Sequence, residues 1–191
     1  MTSDRPIRVL ITHSFPDAAL DPLRNLSPRI ELEHHPVDDV EELEKAWSAV
    51  EVLYTVDVLP TPEQAPLLKW VQGHSAGVEH LVDHPLASKA QFTNASGIHT
   101  PAIGEYVMMM ILAFSHHLPQ FISYQANAEW PSGRWDKFVP HELRGATMGI
   151  VGYGSLGREI ARLARAFGMT VLATKREVRH LADDGWRLNG T

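Results

Sequence analysis

The chain has 191 residues, 44% of them hydrophobic and 21% charged, the balance of a globular protein with one domain or one and a fraction. Its 17 Lys and Arg against 23 Asp and Glu leave a formal net charge of −6, which speaks against nucleic acid as a partner, because that needs clustered cations to displace counterions. The absence of cysteine excludes disulfides, thiolate nucleophiles and Cys-ligated metals, and makes a reducing cytoplasm the expected compartment.

The first half alternates short β-branched runs with helical stretches. Strands are predicted at residues 7–12, 30–34, 52–55, 69–73 and 91–94. Helices are predicted at 17–25 and at 37–49, the second with Val40, Leu43, Ala46 and Trp47 on one face. Near-continuous apolar strands alternating with helices imply a parallel sheet covered on both faces. A longer helix begins at Thr100-Pro101, with Thr100 as N-cap and Pro101 at the first helical position. It carries Ile103, Val107, Met110, Ile111 and Phe114 at helical spacing and meets Pro119, which ends or kinks it. Met108-Met109-Met110 makes this helix apolar nearly all round, as ordinary core or as a subunit or domain interface. The longest apolar run, residues 107–114, falls short of the roughly 20 residues that span a bilayer, so no membrane partner is expected. Residues 130–141, with Pro131, Gly133 and Pro140, read as loop.

The strongest local signal is Thr147-Met-Gly-Ile-Val-Gly-Tyr-Gly-Ser-Leu-Gly157. A strand at 146–151 precedes its glycines, a helix ending at Gly168 follows them, and a second strand at 170–174 comes next. This strand–turn–helix–strand context is what the dinucleotide fingerprint requires. Gly152 turns the chain off the strand, Gly154 admits a pyrophosphate to the backbone, and Gly157 lets the helix pack close. The N–H groups of Ser155 and Leu156 would lie at the positive end of the helix. Gly152, Tyr153, Gly154, Ser155, Leu156 and Gly157 are therefore candidate cofactor-binding residues, and a tight turn without a ligand is the bland alternative. The helix is expected to bury Leu156, Ile160, Leu163, Ala164 and Phe167 and to expose Arg158, Glu159, Arg162 and Arg165. After the second strand come Lys175 and Arg176, where an acidic residue would mark NAD. They would attract a ribose 2′-phosphate, so NADP is preferred over NAD; two solvated surface cations are the alternative.

The chain resembles the N-terminal part of the D-isomer-specific 2-hydroxyacid dehydrogenases. The resemblance rests on Leu68-Lys-Trp-Val-Gln-Gly-His-Ser-Ala-Gly-Val-Glu-His-Leu81, on Thr93-Asn-Ala-Ser-Gly, on Glu105-Tyr-Val and on Glu142-Leu-Arg-Gly leading into the glycine turn. It implies an α/β fold: a flavodoxin-like parallel-sheet substrate domain over residues 1–99, a crossing helix and linker over 100–139, and the first βαβ unit of a Rossmann-type NAD(P)-binding domain over 140–191. It implies reduction of small 2-oxo acids to 2-hydroxy acids, of the glyoxylate or hydroxypyruvate type, and a homodimer for the full-length family member. By position, the backbone amides of Ser75, Ala76 and Gly77 would hold the substrate carboxylate in an anion-binding nest. Thr100 matches a threonine that approaches the cofactor. His74, beside the nest, is either a substrate contact or a packed histidine.

In the family, an arginine, a histidine and a carboxylate that do the chemistry come from a later part of the cofactor domain. No position of this chain matches them, so no catalytic residue is expected here and the chain alone is expected to be inactive. A non-catalytic dinucleotide-binding regulatory module and a non-functional gene fragment are the alternatives. A sheet without its later strands should expose Ile150, Val151, Val171 and Leu172. His80 and His84 lie four apart with Asp83 between them, but Pro85 follows and no third ligand is evident, so no metal is expected.

Overall fold

The computed structural model describes residues 5–176. The chain divides into two units, Met1–Ser96 and Gly97–Thr191. The first unit is built on five strands in the order β2-β1-β3-β4-β5, all parallel. These are β1 (Ile7–Ile11), β2 (Ile30–His34), β3 (Val52–Thr55), β4 (Trp70–Gly73) and β5 (Gln91–Thr93). Helix α1 (Asp17–Arg24) links β1 to β2, and the short α2 (Glu79–Val82) follows β4. The core gathers Leu10, Trp47, Leu53, Leu68, Val71 and Leu86. At one margin the buried Glu51 carboxylate meets Lys69 Nζ at 2.7 Å and Arg5 at 2.6 Å.

The helix expected at 37–49 is not continuous. Two 3₁₀ turns stand there instead, Val40–Leu43 and Trp47–Ala49. The pattern Val40, Leu43, Ala46 is spaced by three, which suits three residues per turn as well as 3.6. The Asp39 side chain accepts from Glu41 N at 3.0 Å and starts the first turn. The Trp47 indole then donates to the Val40 carbonyl at 2.8 Å, satisfying a fully buried ring nitrogen.

The second unit begins with α3 (Thr100–Ser115) and α4 (Leu118–Ala126), followed by α5 (Arg134–Lys137) within the stretch expected to be loop. Thr100 is the first helical residue of α3 and His99 is the cap, one position earlier than expected. The cause is a turn at Gly97, φ +99°, whose carbonyl accepts from Thr100 N at 3.1 Å and starts the winding early. The helix stops before Pro119. His117 adopts a left-handed conformation, φ 59°, and Pro119 falls in the first turn of α4, where its missing N–H costs nothing.

Strands β6 (Thr147–Val151) and β7 (Thr170–Thr174) form a parallel pair, with α6 (Ser155–Ala166) between them in sequence. Helices α3 and α6 pack closely at Gly104, where a Cβ would come within 2.9 Å of Glu159 Cγ and 3.0 Å of Leu163 Cδ1. Met108, Met148, Ile150, Ala161 and Ala164 form the core beneath them. Ile150 is therefore buried and Val171 partly buried, against the expectation of exposure, while Val151 (95% exposed) and Leu172 (59%) do stand open. Strand alternation is the reason: one face of the pair meets the helices and the other does not. Leu156 and Phe167, expected inside, are 38% and 40% exposed because they sit at the two ends of α6, past the packed middle. Among the described residues no helix is long and apolar enough to cross a membrane.

Candidate functional site

In the first unit, Ser75, Ala76 and Gly77 form the loop between β4 and α2, at the carboxyl end of the parallel sheet. Ligands bind at that end in open α/β sheets. All three carbonyls of the loop are engaged. Ser75 O accepts from Ala95 N at 3.0 Å, Ala76 O from Asn94 Nδ2 at 3.0 Å, and Gly77 O from Ser75 Oγ at 2.8 Å. The N–H groups of the same three residues have no partner among the described residues. A loop with its acceptors tied back and its donors free suits a small anion.

Beside this loop stands a group of rings of which the sequence singled out only His74. The Tyr54 hydroxyl and His74 Nδ1 are 2.7 Å apart. The His13 ring lies 4.2 Å from that of His74, and Phe15 is edge-on to Tyr54 at 5.4 Å. Burial holds the Tyr54 phenol above its ordinary pKa. Residues 13, 54 and 74 each stand at the carboxyl end of a parallel strand, the only signal in the sequence that could have drawn them together.

The second unit carries the glycine turn. Gly152 follows β6 with φ +98°, a left-handed conformation that suits glycine. Gly152 N and Tyr153 N both donate to Thr174 O, at 3.1 and 3.0 Å, tying the turn to the end of β7. The space around Gly154 is open, with nothing within 4 Å of a built Cβ. At Gly157 a Cβ would run into the Gly152 carbonyl oxygen. Ser155 and Leu156 lie in the first turn of α6, where N–H groups have no intrahelical acceptor. An uncrowded backbone at Gly154 next to free helix N–H groups fits a dinucleotide pyrophosphate.

Tyr153 differs from its neighbours: at 4% exposure its side chain belongs to the core. Lys175 and Arg176 are exposed directly after β7. Glu177, the first carboxylate after β7 in the sequence, lies outside the described residues. Thr100 Oγ1 is buried without a hydrogen-bond partner among the described residues. His80 Nε2 is 2.7 Å from the Val56 carbonyl and His84 Nδ1 accepts from Leu86 N at 3.3 Å, both in local structural roles. Among the described residues no group of three His, Asp or Glu is arranged to hold a metal.

Residues 108–189 match the family model described as "D-isomer specific 2-hydroxyacid dehydrogenase, NAD binding domain". The D-3-phosphoglycerate dehydrogenase of Bacillus subtilis is 33% identical over 168 residues, covering 86% of this chain and 31% of the relative. A glyoxylate reductase of Thermococcus gammatolerans is 28% identical over 193 residues, covering 93% of this chain and 56% of the relative. A D-isomer specific 2-hydroxyacid dehydrogenase family protein from Aeromonas salmonicida has a solved structure with a TM-score of 0.64 and 27% identity, covering 91% of this chain and 54% of that one. The chain thus spans about a third to just over half of the length of these proteins.

Proposed function

The chain belongs to the D-isomer-specific 2-hydroxyacid dehydrogenase family, and from that premise we propose that it serves an NAD(P)-dependent oxidoreductase acting on the CH–OH group of small 2-hydroxy acids. The carrying observation is the loop at Ser75, Ala76 and Gly77, whose carbonyls are all engaged and whose amides are all free among the described residues. These amides hold the substrate carboxylate, which fixes the position of C2. Small 2-oxo acids of the glyoxylate and hydroxypyruvate type fit a site that recognises the carboxylate through backbone alone.

The N-terminus of α6, with Gly152, Gly154, Ser155, Leu156 and Gly157, holds the pyrophosphate of the dinucleotide. When bound, the nicotinamide supplies the hydride that C2 accepts. Lys175 and Arg176 favour NADP over NAD by attracting its 2′-phosphate. Two orienting functions, one for each reactant, are what the chain's own residues contribute. On this reading the 191-residue chain by itself binds both ligands and does not turn them over.

A homodimer through the second unit accompanies the proposal. Met109, Phe114, Ile122, Trp130 and Trp135 are each more than half exposed. Large exposed apolar side chains of this kind are what a subunit interface would cover. Light scattering at increasing concentration would reveal a dimer; a monomer at every concentration argues against it.

Titration of labelled chain with glyoxylate, followed by the amide resonances of Ser75, Ala76 and Gly77, tests the substrate site. The proposal requires those resonances to move. If they stay still while others respond, the carboxylate is held elsewhere. Oxidation of NADPH in the presence of glyoxylate or hydroxypyruvate tests the second point, and robust turnover by the chain alone would refute it.

A further inference from the structure

A carboxylate of the first unit stands against the loop at Ser75, Ala76 and Gly77. A Cβ built on Gly77 would come within 2.9 Å of Glu79 Oε2. Adding a single C–C bond of about 1.5 Å places that oxygen within about 4.5 Å of the Gly77 Cα. Glu79 lies in the first turn of α2 and is exposed. No hydrogen bond or ion pair engages its carboxylate among the described residues. Lys69 and Arg5 answer Glu51 instead, at 2.7 and 2.6 Å. The side chains beside the loop at the ends of β1 and β3 are the rings of His13, Phe15 and Tyr54, and none of them is a Lys or Arg. The loop therefore offers an anion the partial charges of its backbone amides, with a full negative charge close by.

We propose that Glu79 is a specificity-determining residue of this loop, whose charge admits 2-oxo and 2-hydroxy acids with a single carboxylate and opposes those that carry a second anionic group, a carboxylate or a phosphate. The inference rests on the reading of the loop as the substrate-carboxylate site and adds which acids that site accepts. One carboxylate gains the hydrogen bonds of the loop amides, which offset the repulsion from Glu79. A second anionic group gains no such bonds there. It still feels Glu79, because Coulomb repulsion falls only with the inverse of distance and a three- or four-carbon acid is shorter than the screening length of about 8 Å at physiological salt. Neutral substituents at C3, such as hydrogen or hydroxyl, escape this cost. Selectivity of this kind comes from a repulsive element, not from a tighter contact to the favoured ligand.

The test is titration of the labelled wild-type chain and of Glu79→Gln, Glu79→Asp and Glu42→Gln with D-lactate, which carries one charge at pH 7.5, and with D-malate, which carries two. The amide resonances of Ser75, Ala76 and Gly77 report binding, and thermal melts report folding. Glu79→Gln should melt like wild type, because the side chain is exposed. It should bind D-lactate about two- to three-fold more tightly and D-malate about ten-fold more tightly. Glu79→Asp, which keeps the charge, should retain part of the discrimination. Glu42→Gln makes the same change in net charge in the first 3₁₀ turn, and should leave both affinities within about two-fold of wild type. Raising salt from 0.1 to 1 M shortens the screening length from about 10 to about 3 Å, and should shrink the wild-type preference for D-lactate. If Glu79→Gln gains no more for D-malate than for D-lactate, the role of Glu79 is overturned while the carboxylate loop stands. If neither acid moves the loop resonances in wild type or in Glu79→Gln, the substrate-site reading itself fails, and this inference with it.

Discussion

The Asn94 side-chain amide donates to the Ala76 carbonyl at 3.0 Å, and its Oδ1 accepts from Ser96 N at 3.1 Å. One side chain thus ties the loop after β4 to the segment after β5. Replacing Asn94 with Ala frees the Ala76 carbonyl to turn, and the neighbouring amides with it. Binding of a 2-oxo acid analogue such as oxamate should weaken about five- to ten-fold, at a stability cost of about 1 kcal/mol. Titration followed by the Ala76 and Gly77 amide resonances measures the first effect and a denaturant melt the second. Undiminished binding would mean that the loop holds its shape without the tie.

Two glycines in one turn should respond in opposite ways. A methyl at Gly157 collides with the Gly152 carbonyl oxygen, so Gly157→Ala should lower stability by about 1–3 kcal/mol. A methyl at Gly154 meets nothing within 4 Å. Gly154→Ala should fold normally and lose dinucleotide affinity, because the methyl takes up space that the pyrophosphate needs. Thermal melts and ADP titration of the pair separate the two. A Gly154→Ala chain with full ADP affinity would contradict the proposed approach of phosphate to this backbone.

The Glu51 carboxylate is held below its ordinary pKa of 4.5, first by the Lys69 ammonium and then by the Arg5 guanidinium. A carboxylate whose pKa is lower in the folded state stabilises the fold above the unfolded pKa. That stability is lost as pH falls from about 4.5 through the lower folded value. Glu51→Gln should therefore be less stable than wild type at pH 7 and should approach it near pH 3. Denaturant midpoints at both values provide the check; an unchanged gap would show that the charge pairing contributes nothing.

Lys175 and Arg176 are exposed after β7, and no ion pair engages them among the described residues. Each contact to a 2′-phosphate is worth about 1.5–3 kcal/mol. Wild type should bind NADPH more tightly than NADH, and Lys175→Asp should reverse the order. Fluorescence titration with both cofactors decides it, and equal affinities before and after the change would remove these residues from cofactor choice.

The glycine turn could be read from sequence because its logic is local. Strand, three glycines, helix and second strand lie within residues 147–174, and each glycine answers a neighbour a few positions away. The parallel strands of the first unit were legible for a similar reason, since continuous β-branched runs are rarely anything else. The 3₁₀ turns near Trp47 and the burial of Ile150 were not. The former depend on which backbone groups find partners, such as the Val40 carbonyl that takes the Trp47 indole N–H. The burial of Ile150 depends on which face of the β6–β7 pair the helices cover. The carboxylate loop shows the division most clearly. Sequence supplied small residues at Ser75, Ala76 and Gly77, which permit a nest. Only the tertiary structure brought Asn94 and Ala95, on the far side of β5, to take up the loop's carbonyls and leave its amides free. A local pattern states which backbone conformations are affordable, whereas the direction in which a loop presents its N–H groups is set by contacts distant in sequence.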